Sequence, residues 1–503
     1  MRKIHLMPPI IDGQTAKFQW RVEPPSTLYQ RTSFTIIFPP VVDLSKVPKR
    51  LWWDFLLMCL HSHWLLLQPC EVHLPLKLGA PLRKFWLQLL QNGLDTLNAY
   101  GPKNQAAALN VSIVDGDLEV PYERITGSRY ATAFSGGKDS LLQAALLFEL
   151  TEQPLLVATT SPMPPLADHA TARRREVFQA IQSRRHSLFV EAESDFRGIW
   201  ENSFAGQLGY RVAVNELTDT FLYTVCLLAA GAALGATRLF VASEAELQDN
   251  ARIDGKIIQH SHFMYTAATQ RALTGLLGPY GFEIGSLTWP LHTMQVQQLL
   301  WARFPDLCDL QYSCWRVGEN QAACSQCEQC LRIAATALAS GADPQRMGVD
   351  LPKVIDYALT WRPMEKKVSV QRLPQEVAAG KLTAQVVDAI KRTSLNHVRF
   401  TLARATKGQW SWHQSLKLRK AVWTFRIVRW RFRHWPPPPP MGVREAFFDW
   451  LDAGLREALI AIYKQYFPIE PRAQHLGILE RSDELTSRAT SSLDRPHAKP
   501  SAQ

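Results

Sequence analysis

The hexapeptide Ser-Gly-Gly-Lys-Asp-Ser at residues 135–140 has the residue types of a phosphate-binding loop. It follows a short apolar run at 130–134 and precedes a helical pattern at 141–147. A strand that ends at two glycines and resumes as a helix presents several backbone N–H groups in one concavity, and the helix N-terminus favours negative charge. The spacing differs from the Walker loop and from the dinucleotide fingerprint. The sequence therefore predicts a phosphate cradle, and a Gly-Gly turn capped by Ser and Asp is the alternative.

Four cysteines form a second group with the spacing C-x9-C-x2-C-x2-C: Cys314, Cys324, Cys327 and Cys330. Four thiolates suit tetrahedral zinc, and two intervening residues allow a tight turn to direct both sulfurs at one ion. A helix expected over 331–340 would add the favourable field of its N-terminus. The pattern predicts a metal site, with an iron–sulfur cluster and unligated buried thiols as the alternatives.

The scaffold of these motifs is indicated by alternating β-rich and helical runs from about residue 130 to 291. This alternation is typical of an α/β fold in which helices cover a parallel sheet, and ligands bind there beyond the carboxyl ends of the strands. The predicted strands are 130–134, 155–160, 187–191 and 238–242, and the predicted helices are 140–148, 170–182 and 217–234, with another after Ile258. The hexapeptide, Thr159, Thr160 and Ser243 all follow or end such strands.

A chain of 503 residues exceeds the size at which one core stops growing, so several domains are expected. Residues 1–125 predict an α+β appendage, with strands at 34–38, 72–76 and 109–114 and helices at 51–67 and 82–97. Residues 126–340 hold both motifs. Residues 341–480 predict a basic helical region that includes a polyproline spacer at 436–440 and an amphipathic helix over 443–466. The tail, 481–503, has the composition of a disordered segment.

The cellular setting follows from composition. Eight cysteines are too sparse for a disulfide-stapled scaffold. The longest apolar stretches, 51–67 and 221–236, are shorter than the roughly 20 residues of a membrane helix, and the N-terminus has no apolar core of signal-peptide length. We expect a cytoplasmic protein without a membrane span.

The net charge of +11 is concentrated in one segment, since 389–444 holds thirteen Lys and Arg and no Asp or Glu. Five tryptophans lie among these basic residues: Trp410, Trp412, Trp423, Trp430 and Trp435. Basic residues beside aromatic rings suit binding of tRNA or another nucleic acid. An amphipathic helix with Val422, Phe425, Val428 and Phe432 packed inward is the alternative. We favour a solvated basic face or a surface for an acidic partner protein.

The order and spacing of the two motifs resemble the 7-cyano-7-deazaguanine synthase (QueC) family of PP-loop ATP pyrophosphatases. The similar stretches are 130–140, 221–243 (FLYTVCLLAAGAALGATRLFVAS) and 310–332 (LQYSCWRVGENQAACSQCEQCLR). They span about 127–340, less than half of the chain. The resemblance implies a PP-loop core and an ATP-dependent ligase that forms a C–N bond through an acyl-adenylate. In that family the substrate is 7-carboxy-7-deazaguanine, ammonia displaces AMP to give an amide, and a second activation gives a nitrile.

The resemblance also implies roles for the motif residues. The loop residues Ser135, Gly136, Gly137, Asp139 and Ser140 would bind the ATP phosphates and Mg²⁺, and the four cysteines would hold a structural Zn²⁺. Lys138 occupies the variable position of the loop, where its charge could neutralise developing pyrophosphate or could simply be solvated. Ser135, Lys138 and Asp139 are the candidate catalytic residues.

Three further candidates lie at the strand ends. Thr159 joins Lys138 and the loop in the candidate ATP-binding set. Ser243 and Glu244 are the candidate substrate-binding residues. Glu244 and Glu246 could ligate Mg²⁺ or bind the exocyclic amine of the substrate, and solvated loop acids are the alternative.

The sequence departs from the family around the substrate. The family's aromatic-Gly-Gln motif is replaced by 161–165 (SPMPP), and its Pro-Gly-Arg-Asn turn by 215–220 (NELTDT). The lysine expected after Pro290-Leu291 is replaced by His292. With its long extensions, the chain resembles QueC-like proteins of bacterial anti-phage defence systems, which join a 7-deazaguanine to a protein. This implies conjugation to a protein amine, with nitrile formation from ammonia and tRNA or nucleic-acid modification as the alternatives.

A second possible metal group, His61 and His63 with Cys59 and Cys70, lies in or beside a strongly apolar helical run. We interpret these residues as part of the core.

Overall fold

The computed structural model describes residues 1–101, 108–160, 167–248, 251–253, 256–260, 262, 265–312, 314, 322–362, 374–405, 412–438 and 441–470. The strands described are β1 (Arg2–Leu6), β2 (Ile10–Asp12), β3 (Thr15–Glu23), β4 (Ser33–Ile37), β5 (Cys70–Leu76), β6 (Val111–Leu118), β7 (Arg129–Ala133), β8 (Leu155–Thr160), β9 (Leu188–Ser194), β10 (Ala236–Phe240), β11 (Ala251–Ile253), β12 (Lys256–Ile258) and β13 (Glu283–Gly285). The α-helices described are α1 (Lys49–Leu67), α2 (Gly79–Ala99), α3 (Lys138–Leu150), α4 (Ala167–Arg184), α5 (Phe204–Gln207), α6 (Val214–Leu234), α7 (Ala267–Leu277), α8 (Thr293–Arg303), α9 (Glu328–Ala339), α10 (Leu351–Thr360), α11 (Pro374–Arg392), α12 (Leu395–Ala405), α13 (Trp412–Arg431) and α14 (Ala453–Lys464).

Eleven of these strands form one mixed sheet in the order β13-β10-β7-β8-β9-β4-β3-β1-β5-β6, with β2 paired to β3. The pairs β13–β10, β10–β7, β7–β8 and β8–β9 are parallel, as are the pairs β1–β5 and β5–β6. The pairs β9–β4, β4–β3 and β3–β1 are antiparallel. The predicted α/β class is confirmed. The sheet as a whole is mixed, because strands of the N-terminal region extend it through antiparallel pairs.

The strands predicted around the motifs are found within a few residues of their expected bounds. β8 matches its prediction at both ends, and β7 is displaced by one residue. β9 continues to Ser194, beyond the predicted end at Glu191, because Glu193 and Ser194 pair with Ile37 and Ile36 of β4. The helix expected after Ile258 is α7.

Helices cover both faces of the sheet. Leu155 and Val157 of β8 belong to one hydrophobic core, whereas Leu156 and Ala158 belong to the other. Such alternation is expected for a strand that is buried on both faces. α1, α2, α6 and α7 pack on the first face, and α3, α4 and the helices from α8 onward pack on the second.

The N-terminal region is continuous with the motif-bearing region. Its predicted strands and helices correspond to β4, β5, β6, α1 and α2. β4 pairs directly with β9, and residues of α1 and α6 belong to the same core. The predicted boundary near residue 125 therefore lies within one continuous sheet.

Of the described helices, α6 alone is long and apolar enough to cross a bilayer, and most of its apolar stretch is buried inside the fold. It ends at Gly235, whose φ of +70° supplies the left-handed conformation that commonly closes a helix. α6 thus lies in the core between α1 and the sheet.

The C-terminal region is helical over its described residues. The amphipathic helix predicted over 443–466 begins only at Ala453, because the side chain of Asp452 caps it by accepting a hydrogen bond from the Leu455 N–H at 3.0 Å. A short 3₁₀ turn, Glu445–Phe448, precedes it. The segment 161–165, Trp410, Pro439, Pro440 and the tail 481–503 lie outside the described residues.

Candidate functional site

The hexapeptide comprises the end of the loop after β7 and the first turn of α3, at the carboxyl end of a parallel strand. Gly136 has a φ of +78°, a conformation that glycine adopts without the steric cost of a Cβ. Gly137 is the N-cap of α3. The Tyr312 N–H donates to the Gly136 carbonyl at 2.7 Å, which fixes the loop against the segment that leads to the cysteines. The predicted strand–loop–helix arrangement is present.

Two serine hydroxyls organise the inside of the loop. The Ser140 hydroxyl accepts a hydrogen bond from the Ser135 N–H at 3.2 Å and lies 3.1 Å from the Gly137 carbonyl, to which it can donate. The Ser135 and Ser140 oxygens are 3.1 Å apart, and the Gly137 N–H donates to Ser135 Oγ at 3.4 Å. These hydroxyls engage the amides of the loop, so both serines take part in its shape.

Lys138 points inward and is only 8% exposed, which excludes the solvated orientation. Its Nζ lies 2.6 and 2.7 Å from the two carboxylate oxygens of Asp139 and 3.6 Å from Glu244 Oε1. Burial lowers the pKa of Lys138, but the two carboxylates outweigh burial and raise its pKa above the ordinary value. The ammonium is therefore charged and held beside the loop.

Glu244 lies in the same cluster. Its Oε1 accepts a hydrogen bond from the Thr293 hydroxyl at 3.2 Å. Burial and the negative charge of Asp139 raise the pKa of Glu244 to about 7, although Lys138 acts in the opposite direction. A carboxyl with this pKa can exchange a proton near neutral pH.

These charged groups line a polar cavity of about 180 Å³. Its lining residues come from the start of α3, the turn after β10, and helices α8 and α9: Lys138, Asp139, Glu244, Thr293, Gln297, Gln329, Arg332, Ile333 and Thr336. Arg332 is oriented by Glu328, whose Oε1 accepts from its guanidinium at 2.7 Å. The cavity is smaller than the roughly 300–1,000 Å³ of typical small-molecule sites. The cavity alone could therefore enclose only part of a nucleotide-sized ligand.

Glu246 has a structural position next to this cavity. It accepts hydrogen bonds from the Thr293 N–H at 3.0 and 3.1 Å and from Gln385 at 2.9 Å, and it lies 3.2 Å from His292 Nδ1. Burial alone would raise its pKa, but the interactions with His292, Gln385 and Thr293 lower it to about 2. Glu246 is thus an ionised cap at the N-terminus of α8, and neither a solvated acid nor a lining residue.

The four cysteines converge as the spacing predicts. Their sulfurs all lie within 4.8 Å of one another, with Cys330 Sγ 3.8 Å from Cys324 Sγ and 3.5 Å from Cys327 Sγ. Thiolates at about 2.3 Å from one tetrahedral zinc ion are about 3.8 Å apart. A [4Fe–4S] cluster attaches each thiolate to a separate iron and needs a wider arrangement. The cluster could hold a single metal ion such as zinc.

The backbone around the cysteines has the form of a metal-binding turn. Ser325 has a φ of +59°, and its N–H donates to Cys330 Sγ at 3.3 Å. Its hydroxyl accepts from the Asp350 N–H at 2.8 Å. Cys327 is the N-cap of α9 and accepts from the Cys330 N–H at 3.5 Å. These contacts direct the sulfurs toward a common point.

The cysteine cluster and the cavity share a helix. α9 begins immediately after Cys327, and four of its residues line the cavity: Gln329, Arg332, Ile333 and Thr336. Their spacing of three and four residues places them on one helix face. An ion bound by the cysteines would therefore fix one wall of the cavity.

Of the predicted site residues, the cavity brings together Lys138, Asp139 and Glu244. Thr159 and Ser243 are buried at the ends of their strands and do not line it. The Thr159 carbonyl accepts from Arg174 at 2.9 Å. The Ser243 hydroxyl donates to the Tyr265 carbonyl at 2.8 Å and accepts from Gln248 at 2.9 Å, so its hydrogen-bonding capacity is used within the fold.

The lining residues of α8 and α9 were not predicted. The wall from α9 carried a usable signal, because polar residues at Gln329, Arg332 and Thr336 recur on one helix face directly after the cysteines. Thr293 and Gln297 of α8 carried no comparable signal, since their contact with the loop depends on how α8 packs against α3.

His61 and His63 are buried core residues, as interpreted. His61 Nδ1 lies 2.9 Å from the Met58 carbonyl, and His63 Nδ1 lies 3.2 Å from the Tyr29 hydroxyl. Within the described ranges, the four cysteines form the only cluster of metal-ligating side chains close enough to hold an ion.

Comparisons of the chain with protein-family models, with curated proteins and with solved structures find no match. The function is therefore inferred from the geometry of the site and from the motif resemblance.

Proposed function

We propose that this protein is a QueC-like, PP-loop enzyme that uses ATP to adenylate the carboxylate of 7-carboxy-7-deazaguanine and transfers the acyl group to an amine. One observation carries the proposal. A glycine-containing loop at the carboxyl edge of a parallel sheet lies beside a polar cavity that contains Lys138, Asp139 and Glu244. A backbone concavity with a buried cation and carboxylates is suited to a triphosphate and its divalent ion.

The first chemical step would be attack of a substrate carboxylate oxygen on the α-phosphorus of ATP. The bond from that phosphorus to the bridging oxygen breaks, and pyrophosphate leaves with the electron pair. The ammonium of Lys138 and the N-terminus of α3 would stabilise the negative charge that develops on pyrophosphate. Asp139 has the hard oxygen ligands that Mg²⁺ prefers, and Mg²⁺ supplies neutralisation of the phosphate charge.

The second step would be attack of an amine nitrogen on the acyl carbon, with AMP leaving from the same carbon. The nitrogen must then lose a proton. Glu244 is suited to accept it, because its pKa of about 7 matches the working range of a general base and its carboxylate lines the cavity.

We propose a protein amine as the acceptor, in an anti-phage defence system. The departures from the family support this choice. His292, which replaces the expected lysine, is engaged by Glu246 at 3.2 Å and lies 3.8 Å from Glu470, so no amine from this position reaches the reaction centre. Loss of the lysine amine fits a reaction that stops at the amide, without the second activation that gives a nitrile.

The adenylation step is tested by exchange of labelled pyrophosphate into ATP, with Mg²⁺ and 7-carboxy-7-deazaguanine. We expect exchange that requires the deazaguanine and that falls at least 100-fold in Asp139→Asn, since this removes charge stabilisation at the phosphates. The exposed Asp356, outside the cavity, provides the control Asp356→Asn, which should keep full exchange. Exchange without dependence on the deazaguanine would contradict the substrate assignment.

The acceptor is tested separately by intact mass measurement of the proteins encoded beside this gene. A deazaguanine-sized addition that disappears in Asp139→Asn is expected on one of them. Free nitrile formed from ammonia at ordinary catalytic rates would instead support a small-molecule synthase.

A further inference from the structure

α13 and the turn after it carry a stripe of exposed side chains, here called the Trp–Arg seam. Its members are Leu416, Arg419, Trp423, Arg426, Trp430 and Arg433. The intervals alternate between three and four residues, so the six side chains fall within about 100° of the helix circumference. Both tryptophans are 62% exposed and Leu416 is 43% exposed.

The seam is not needed to hold α13 in place. The predicted inward residues Val422, Phe425, Val428 and Phe432 are all buried on the other side of the helix. The amphipathic interpretation of this segment is thus confirmed, and it leaves two large aromatic side chains on the outer face. Apolar surface of this kind, set in a polar rim, commonly marks an interaction site.

The seam has the repeat of a helix–helix interface. Its apolar members recur every seven residues, and its arginines recur every seven residues at the alternate position. The seam therefore has the seven-residue repeat of a helix–helix interface, with arginine at one of the two positions that are apolar in a standard coiled coil. A partner helix with the same seven-residue repeat would stay in register along the whole seam.

The charge of the seam restricts the partner. In the part of the chain that the structure describes, Arg419 and Arg426 have no carboxylate partner, and the segment 389–444 contains no Asp or Glu. The guanidinium of Arg433 lies 4.6 Å from the centre of the Trp430 ring. Two copies of this seam facing each other would oppose like charges, which disfavours self-association through it.

We propose that the Trp–Arg seam docks an acidic amphipathic helix of a partner protein. Carboxylates of the partner would face the three arginines, and small or apolar residues would pack against Leu416, Trp423 and Trp430. The proposal is independent of the adenylation chemistry, because no residue of the seam lines the cavity.

The test uses the full chain and a fluorescent synthetic peptide of about three heptads, with Leu and Glu at the complementary a and d positions. Binding is measured by anisotropy at about 0.15 M salt, where unspecific electrostatic attraction is screened. We expect the heptad peptide to bind at least 10-fold more tightly than a scrambled peptide of the same composition. Equal binding of the scrambled peptide, or preferred binding of a dT oligonucleotide or tRNA, would overturn the proposal.

Variants assign the binding to the seam. Trp423→Ala and Arg426→Glu should each weaken binding of the peptide at least 10-fold. A second peptide with Lys in place of Glu should bind the Arg426→Glu variant more tightly than the original peptide does. Lys417→Glu is the matched control, because it makes the same charge change on an exposed residue about 180° around α13. Its effect should stay below 3-fold. An equal loss of peptide affinity in Lys417→Glu would show that the peptide is held by general charge attraction, and it would overturn the proposal. Thermal melting checks that each variant is folded.

Discussion

At the scale of single residues, the decisive feature is a group of charges that share one small cavity. The ammonium of Lys138 is held by the carboxylate of Asp139, and Glu244 lies within 3.6 Å of the same nitrogen. Arg332 lines the same cavity, so two cationic and two acidic side chains face one small space. Such a mixed cluster suits a charged ligand, and the magnesium–nucleotide complex proposed above is one.

The raised pKa of Glu244 predicts a pH-dependent stability. Its pKa is about 7 in the fold against an ordinary value of 4.5, so folding favours the protonated form. This contribution is present in full below pH 4.5 and is lost as the pH rises through 7. Glu244→Gln cannot ionise and therefore avoids this pH-dependent loss of stability. The free energy of unfolding of the variant, relative to that of the parent, should increase from pH 5 to pH 8. The gain is at most about 3 kcal/mol.

Urea denaturation at the two pH values measures this difference. Glu457→Gln serves as the control, since Glu457 is exposed on α14 and the substitution removes the same charge. If the stability of both variants depends on pH as that of the parent does, the raised pKa of Glu244 is contradicted.

At the scale of elements, the unit of β7, loop and α3 shows what a local sequence determines. Its strand, glycine turn and helix start were predicted within a residue or two, because each signal lies within a dozen positions. The wall of the cavity from α8 could not be predicted, because Thr293 and Gln297 reach the cavity only through packing of a helix distant in sequence. Ser243 was expected to bind substrate from its strand end alone. Its hydroxyl is used by Tyr265 and Gln248, which no local pattern indicates.

Gly136→Ala should destabilise the loop through its backbone. A Cβ at this position would meet Tyr312 and Val177 at ordinary distances of 3.7 Å, so space is available. The φ of +78° remains unfavourable for alanine and costs about 1–2 kcal/mol. We expect lower stability in urea and weaker ATP binding by calorimetry.

Gly206→Ala is the matched control for that substitution. Gly206 lies in the short helix α5, has no left-handed φ, and would place its Cβ in open space. It should be neutral or stabilising by up to about 1 kcal/mol. Equal losses in the two variants would contradict a conformational role for Gly136.

The shared helix α9 predicts that the metal centre and nucleotide binding are coupled. The purified protein should contain about one zinc ion per chain. Cys327→Ser should lose the ion, lower the melting temperature and weaken ATP binding, because Cys327 is the N-cap of α9 and α9 supplies one wall of the cavity. Metal analysis, thermal melting and calorimetry report these three effects.

Cys226→Ala separates metal loss from general destabilisation. Cys226 is fully buried in α6 and lies outside the cysteine cluster. This variant should lose some stability and keep its metal. A Cys327→Ser protein that retains stoichiometric zinc, or a parent without metal, would contradict the zinc assignment.

At the scale of the whole molecule, the single sheet decides how the parts depend on one another. The sequence indicated an N-terminal appendage, but β4 and β9 pair across about 160 residues, and pairing at that separation leaves no local pattern. Asp195 reinforces the junction by accepting from the Thr35 N–H at 2.7 Å and from Arg31 at 2.7 Å. α1 also covers the apolar face of α6.

Removal of residues 1–125 should therefore prevent folding of the remainder. The deletion would leave β9 with an unpaired edge and would uncover buried side chains of α6 such as Phe221, and both features promote aggregation. Removal of 481–503, which composition predicts to be disordered, is the control and should leave solubility and melting temperature unchanged. Light scattering and circular dichroism distinguish the two outcomes. A soluble 126–503 protein with a cooperative melt would show that the motif-bearing region folds without its N-terminal strands.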